Sequence, residues 1–516
     1  MRVLTAASTL LFATVAVGDP VAQTLTVPRG GDLQAALNQA RPGATILLER
    51  GATYVGNFVL PAGPGGGDDR AITLRTAGDE GLPPAGGRIG PDASALLAKL
   101  QSPNSTPALA TSPTTRGWRI ELLEFLPNRN GAGDIIALGD GSTAQKTLAQ
   151  VPSNLTLDRL YIHGDPDKGQ KRAISLNAAS VTITGSYISD IKAIGQDSQA
   201  IGGWNGPGDY DIENNYLEAA GENVMFGGSD PAILELTPTK ITVRNNILSK
   251  PLAWRDPGQP QWQVKNIFEL KNARGVLVEH NVLEHCWLQA QTGYAVLFTV
   301  RNQDGGCPWC QVEDVQFRDN IVRDVAAGIQ ILGTDPNATS RQTNRIVVRD
   351  NLFDGIDRAA WGGDGYFLLL SDAPRDVTID HNTIVQGQSG GLIKIAHGVT
   401  NGLTFTNNVA AHGDYGIIGT NHGIGIDSIN TFLPGAAVTR NVMAGGRAAV
   451  YPPGNLFPTV DDFKKQFVNF AGRDYRLVPG SAWRNAGTDG KDLGADMTAI
   501  AGLQNAMIAE RKGRKF

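Results

Sequence analysis

Residues 346–356 read IVVRDNLFDGI, and this phrase recurs along much of the chain. It stands earlier as VTITGSYISDI (181–191), YDIENNYLEAA (210–220), ITVRNNILSK (241–250), VLVEHNVLEHC (276–286) and VQFRDNIVRDV (315–325). It follows as VTIDHNTIVQG (377–387) and LTFTNNVAAHG (403–413). The shared pattern is apolar-x-apolar-x-x-Asn-apolar, with Asn at 215, 246, 281, 320, 351, 382 and 408. Alternate apolar residues mark short strands that turn one side chain in and the next out. A unit repeating every 26 to 39 residues means stacked units that touch only their neighbours. Such units sit ~4.8 Å apart, with like residues above like. An Asn at one corner of each unit can bond the coil above or below, and it tolerates the left-handed backbone a corner needs. A structural role accounts for these asparagines better than a catalytic one.

A second strand recurs between the phrases. Examples are AISLN (173–177), AIGGW (200–204), VMFGG (224–228), IFELK (267–271), VLFTV (296–300), YFLLL (366–370) and LIKIA (392–396). WRIELLEF (118–125) and LTLDRLYI (155–162) read as earlier repeats whose Asn slot holds another residue. Near the start, Asp32 can cap a short helix with Leu33, Ala36, Leu37 and Ala40 on its apolar face, ended by Pro42-Gly43. A helix there would close the open apolar end of a stack.

These features resemble the secreted right-handed parallel β-helix proteins of the pectate-lyase-like superfamily, over roughly residues 25–445. The expected fold is all-β, a single-stranded parallel β-helix of about ten coils with an N-terminal capping helix. The expected organisation is a signal peptide (1–22), a cap with the first coils (23–75), and a Gly/Pro/Ser-rich excursion (76–116) that includes one helix over DASALLAKL (92–100). The β-helix repeats (117–450) and a C-terminal cap and tail (451–516) complete it. Arg2 and the apolar Val3–Val17 stretch read as the export signal, cleaved after Gly18 or Ala22, and no later stretch is long enough to span a bilayer. A soluble, exported monomer is expected.

Composition fits this reading. There are 63 glycines in 516 residues, above the usual ~7%, and charged residues are 18% against about a quarter. Both suit many tight turns between short strands. A net charge of −5 argues against a nucleic-acid partner, which needs a basic face. Of the three cysteines, Cys307 and Cys310 lie in a Gly-rich loop, where a loop-closing disulfide fits better than a redox site; Cys286 leaves the pairing open.

In this superfamily substrate lies along a groove on one stacked sheet. If Phe268 and Leu270 point inward, Glu269 and Lys271 point out from the same coil, and Lys394 does so between Ile393 and Ile395. Residues 199–310 gather Glu222, Glu269, Lys271, Arg301 and Asn302 with Trp204, Trp254, Trp262, Trp287 and Trp309, five of the eight tryptophans. Aromatic faces can stack on sugars, and long loops on a rigid scaffold form binding walls. Two reactions fit. The first is β-elimination on an acidic, uronate-containing polysaccharide: a cation neutralises the carboxylate and a base takes the proton α to it. Lys271 and Arg301 are the leading pair, with Arg172 and Lys394 as outlying contacts and Ca²⁺ on Asp197 and Glu222 as a candidate cofactor. The second is glycoside hydrolysis by Glu222 and Glu269. Trp204, Trp287, Asn302 and His163 complete the candidate binding set, and His285 is a further candidate. A non-catalytic glycan-binding solenoid is the third possibility, since no trio of polygalacturonase-like motifs is present. Asp380-His381 stands inside the ladder phrase and reads as structural.

Overall fold

A computed structural model describes residues 22–63, 70–258 and 260–503. The export segment lies, apart from Ala22, outside the described residues. The chain winds as a right-handed parallel β-helix of three long parallel sheets, with 14, 12 and 13 strands. The stack is thus longer than ten coils. The first sheet, called here the ladder sheet, holds the strands that precede the repeated Asn, such as Thr239–Arg244 and Asn344–Arg349. The second, the back sheet, holds those that follow it, such as Ile247–Ser249 and Leu352–Ile356. The third, the groove sheet, is made of the companion strands, including Glu222–Phe226, Phe268–Leu270 and Tyr294–Thr299.

The asparagines form one continuous ladder. Asn215 donates its backbone N–H to the Asn246 Oδ1 at 2.9 Å, and the same bond runs from 246 to 281, 320, 351, 382 and 408. It then continues to Asn441 and Asn455, whose phrase is too short to read from sequence. Each side-chain NH₂ also donates to a neighbouring coil's backbone, as Asn246 does to Ile212 O at 2.8 Å. The left-handed corner is not the ladder Asn itself, as its tolerance for that conformation suggested. It is the residue before: Asn214, Asn245, His280, Asp319, Asp350, His381, Asn407 and Arg440 all have φ between 51° and 59°. The ladder residue needs its amide in line with the next coil, so the turn falls one position earlier.

Inside the coils aliphatic residues stack on their equivalents, and an aromatic column runs through Phe298, Phe317, Phe353 and Phe367, with centroid spacings of 6.2, 6.5 and 4.8 Å. Helix Leu33–Gln39, capped by Asp32 accepting from Ala35 N, buries Leu33 and Leu37 over the first coils. At the other end, helix Ile426–Phe432 packs on Ile417–Gly419, the last groove-sheet strand, and puts Ile429 into the core.

Two expectations for residues 76–116 change. Only its second half belongs to the stack: Ala98–Gln101 and Leu109–Thr111 are paired members of the back and groove sheets, while 77–97 leave it as a loop that packs Ile89, Ala93 and Leu97 against Leu122. The helix over 92–100 is replaced by a single 3₁₀ turn, Pro91–Ala93, and that first strand. Ala98 and Leu100 alternate into the core while Lys99 turns out to Glu124, a period of two that a helix would break. The tail after 451 does more than close an end. Phe463, Phe467, Tyr475 and Trp483 lie on the outer face of the back sheet, over Tyr216, Ile247, Val282, Ile321 and Leu352. That face is therefore covered.

Replacing Asn320 by Ala removes an acceptor used twice by Asn281 and a donor bonded to Val278, Arg318 and Asn351. At roughly 1–3 kcal/mol for each buried group left unpaired, the variant should lose at least about 3 kcal/mol in urea unfolding. An unchanged midpoint would contradict the ladder's role.

Candidate functional site

The groove sheet aligns one polar column across its middle coils. Asp134, Arg172, Gln199 and Glu222 lie in register on successive strands. Arg172 donates to Asp134 at 2.9 Å and to Gln199 at 2.9 Å, and Gln199 donates to Glu222 at 2.8 Å. Glu269 sits on the next strand, accepting from Asn266 at 3.0 Å and Thr299 at 3.3 Å. Phe268 and Leu270 point into the core, so Glu269 and Lys271 do face outward. The Lys271 ammonium is 3.7 Å from Glu269 Oε1.

Lys271 and Arg301 are brought together by stacking. Arg301 donates its backbone N–H to Lys271 O at 3.0 Å, so the two residues leave adjacent coils at the same edge of the sheet. Gly227, at φ 102°, makes room: a Cβ there would lie 2.6 Å from Lys271 Cβ. Arg301 is held on its far side by Asp335, which sits 3.2 Å from its guanidinium and also accepts from Asn302 N at 2.8 Å. Asp335 is an unforeseen member of the site, since only stacking places it beside Arg301.

Accessibility separates the two kinds of group. Glu222 and Glu269 side chains are 0% and 2% exposed, whereas Lys271 and Arg301 are 13% and 29% exposed. Burial pushes the Glu222 carboxyl up from its usual range, and the Glu269 charge adds to this; Lys265 opposes it.

Lys265 stands between Asp197 and Glu222, two of the residues the sequence offers to Ca²⁺. Its ammonium is 2.6 Å from Asp197 and 3.0 Å from Glu222, so it bridges the oxygens a Ca²⁺ would need. Burial works against its charge, yet Glu222 and Asp197 together hold it above the usual lysine range. Gln263 also donates to Asp197. Asp197 and Glu222 do not fit a metal as they stand. Behind them, fully buried Lys250 donates to the carbonyls of Ala219, Ala220 and Gly221 and to Asn223, pinning the turn that precedes Glu222; burial lowers it to about 8.

Several other sequence candidates are not brought to this edge. Asn302 is 3% exposed, its amide spent on Thr339 O and Cys307 N, so it shapes the loop rather than meeting a ligand. That loop is closed by a Cys307–Cys310 disulfide, and Cys286 is free and buried. Trp287 is 6% exposed in a cluster with Trp254, Trp262 and Val264, with Arg255 over its ring at 5.6 Å. Trp204 is partly covered, bonded to Gly141 O, and lies under Arg172 at 5.1 Å. Long loops that leave the stack need their own apolar contacts, and the tryptophans supply them. His163 lies on the back sheet, bonded to Glu124 and stacked on Tyr161. His285, also on the back sheet, contacts Lys250 O, and burial lowers its pKa. Arg172 is on the groove sheet, three strands before Lys271's coil; Lys394 is four strands after it.

A groove of about 890 Å³ runs along the ladder sheet instead, lined by Asp211, Arg244, Leu277, Gln316 and Arg345. Two of its arginines are already paired, Arg244 with Glu213 at 2.9 Å and Arg345 with Asp314 at 2.6 Å.

No protein-family model matches the chain, and no curated protein matches its sequence. Solved structures do. The catalytic unit of a GH87 α-1,3-glucanase from Streptomyces thermodiastaticus is 13% identical, with a TM-score of 0.50, covering 86% of this chain and 71% of its own. An alginate lyase from Paenibacillus sp. is 14% identical, with a TM-score of 0.32 over 78% of this chain and 99% of its own. A PL6 polysaccharide lyase from Pseudopedobacter saltans is 12% identical, with a TM-score of 0.41 over 86% and 89%. At such identity the glucanase likeness bears on the fold alone, and the chemistry must be read from the site.

Replacing Lys265 by Met strands Glu222 as an unpaired buried charge and should cost about 3 kcal/mol or more in chemical denaturation. Adding Glu222→Gln should recover most of it; a single variant as stable as wild type would contradict the pairing. Ca²⁺ should not raise the thermal transition of the wild type. A rise that disappears in Asp197→Asn would show that the cation displaces Lys265.

Proposed function

We propose that the protein is a polysaccharide lyase that acts outside the cytoplasm, cleaving a uronate-containing glycan by β-elimination on the groove sheet. The observation that carries this reading is the pairing of Lys271 and Arg301 at one edge of the sheet, both partly exposed, beside Glu222 and Glu269, which are buried. In such a step Arg301 pairs with the uronate carboxylate, for which a guanidinium fork is well shaped. Lys271 is placed as the base that takes the proton α to that carboxylate. The released electron pair forms the carbon–carbon double bond, the glycosidic C–O bond breaks, and the leaving oxygen picks up a proton. Glu269, beside Lys271, and Asp335, beside Arg301, hold the two side chains in place.

Glycoside hydrolysis is the second reading. It is favoured by Glu222, whose raised carboxyl beside a second carboxylate suits a general acid. Against it, neither carboxylate reaches the surface where a sugar would lie.

On a panel of acidic polysaccharides the wild type should release unsaturated uronide products, followed by their ultraviolet absorbance. Lys271→Ala and Arg301→Ala should each lose at least about 10²-fold in kcat/KM with the thermal transition kept. Reducing ends released without that absorbance, and lost in Glu222→Gln, would replace the lyase by the hydrolase. Glycan binding without any cleavage would leave a non-catalytic solenoid.

A further inference from the structure

We propose that Tyr415, Tyr366, Lys394 and Asp364 form a distal subsite for an acidic sugar of the same polysaccharide chain; the proposal rests on the lyase reading. Tyr415 is 46% exposed, and among the described residues it is the one aromatic side chain in the set of exposed large hydrophobics. The tryptophans first considered as sugar platforms are buried or bonded into loops. The open ring lies here instead, toward the far end of the groove sheet.

The ring is held in place. Tyr415 stacks on Tyr366 with centroids 6.3 Å apart and planes 20° from parallel. Gly391 lies on the strand between them, and a Cβ there would come within 3.0 Å of the Tyr366 ring, so the two rings close over a residue without a side chain. The Lys394 ammonium sits 5.6 Å from the Tyr366 centroid and 3.0 Å from Asp364. The Tyr294 hydroxyl meets the same Asp364 oxygen at 3.4 Å.

These groups supply what an acidic sugar presents. A flat ring takes the C–H face of a pyranose, an ammonium takes its carboxylate, and a carboxylate accepts its hydroxyls. Lys394 and Asp364 side chains are 41% and 31% exposed, and a pair so placed gains little from its own contact. Lys394 can therefore turn to a ligand at small cost. Position links this cluster to the edge carrying Lys271. Glu269, Leu297, Gln330, Leu369 and Lys394 are in register on successive strands, so Lys394 stands ~19 Å along the stack from Glu269. A short oligosaccharide centred on Lys271 stops before Tyr415, and a longer one reaches it.

The test is calorimetric binding of alginate and polygalacturonate tetrasaccharides and octasaccharides to the full chain carrying Lys271→Ala, which prevents cleavage of the probe. The octasaccharide should bind more tightly than the tetrasaccharide. Adding Tyr415→Ala or Lys394→Met should shrink that length advantage by roughly three- to tenfold, with the thermal transition unmoved. A length advantage unchanged in both variants overturns the subsite, and wild-type uronide cleavage would leave the lyase reading standing. An octasaccharide no tighter than the tetrasaccharide before either substitution also overturns it. Absence of both uronide binding and wild-type uronide cleavage overturns the lyase reading and the subsite together.

Discussion

The amide bond from one coil's Asn to the next coil's Asn is the constraint on which the rest depends. Each amide accepts from the backbone N–H and the side chain of the coil before it and donates to that coil's carbonyl, so it fixes spacing and register at once. A one-residue slip would turn every core residue toward water. With the corner pinned, strands of very different loop length still stack, and the residues between Asn246 and Asn281 can wander through the Trp254–Trp262 loop and return in register. The ladder carries no chemistry, but it puts Lys271 directly beneath Arg301.

The same constraint explains what could be read from sequence. The repeat and its period of two are local patterns, so the β-helix, the capping helix over Leu33–Gln39 and the outward direction of Glu269 and Lys271 were legible. Burial of an outward residue was not. It depends on what neighbouring coils place around it, and for Glu222 that is Lys265 from a loop and Gln199 from the adjacent strand. The tryptophans misled for a related reason: a sequence does not say whether an aromatic faces a sugar or a loop's own core. His163 was misplaced because assigning it requires knowing which of three sheets its strand joins. Lys99 and Leu100 show the opposite error, where helical propensity yielded to the register of an existing sheet. Asp335, Lys265 and Tyr415 had no local signal, because their partners are set by stacking across tens of residues.

Charge in the site is arranged by depth. Glu222 and Glu269 lie deepest and are matched there by Lys265, Gln199, Asn266 and Thr299, while Asp197 lies nearer the surface. Lys271 and Arg301 lie at the edge of the sheet, each backed by one buried acid, Glu269 for Lys271 and Asp335 for Arg301. On the proposed lyase reading, a sugar carboxylate at this edge would meet Lys271 and Arg301 before Glu222 or Glu269. Elimination needs that order, whereas hydrolysis needs a carboxyl group at the surface. The loop closed by Cys307–Cys310 follows directly on Arg301 and Asn302, so covalent closure and the Asn302 bonds stiffen the segment that presents the guanidinium.

The most direct test of this account is a crystal structure of Lys271→Ala with a bound oligouronate. The account predicts the sugar chain on the groove sheet, with one uronate carboxylate paired to the Arg301 guanidinium and its α carbon facing the space vacated by the lysine. An oligosaccharide lying instead along the ladder-sheet groove of Asp211, Arg244 and Arg345, or one whose glycosidic oxygen rests against Glu222, would contradict it.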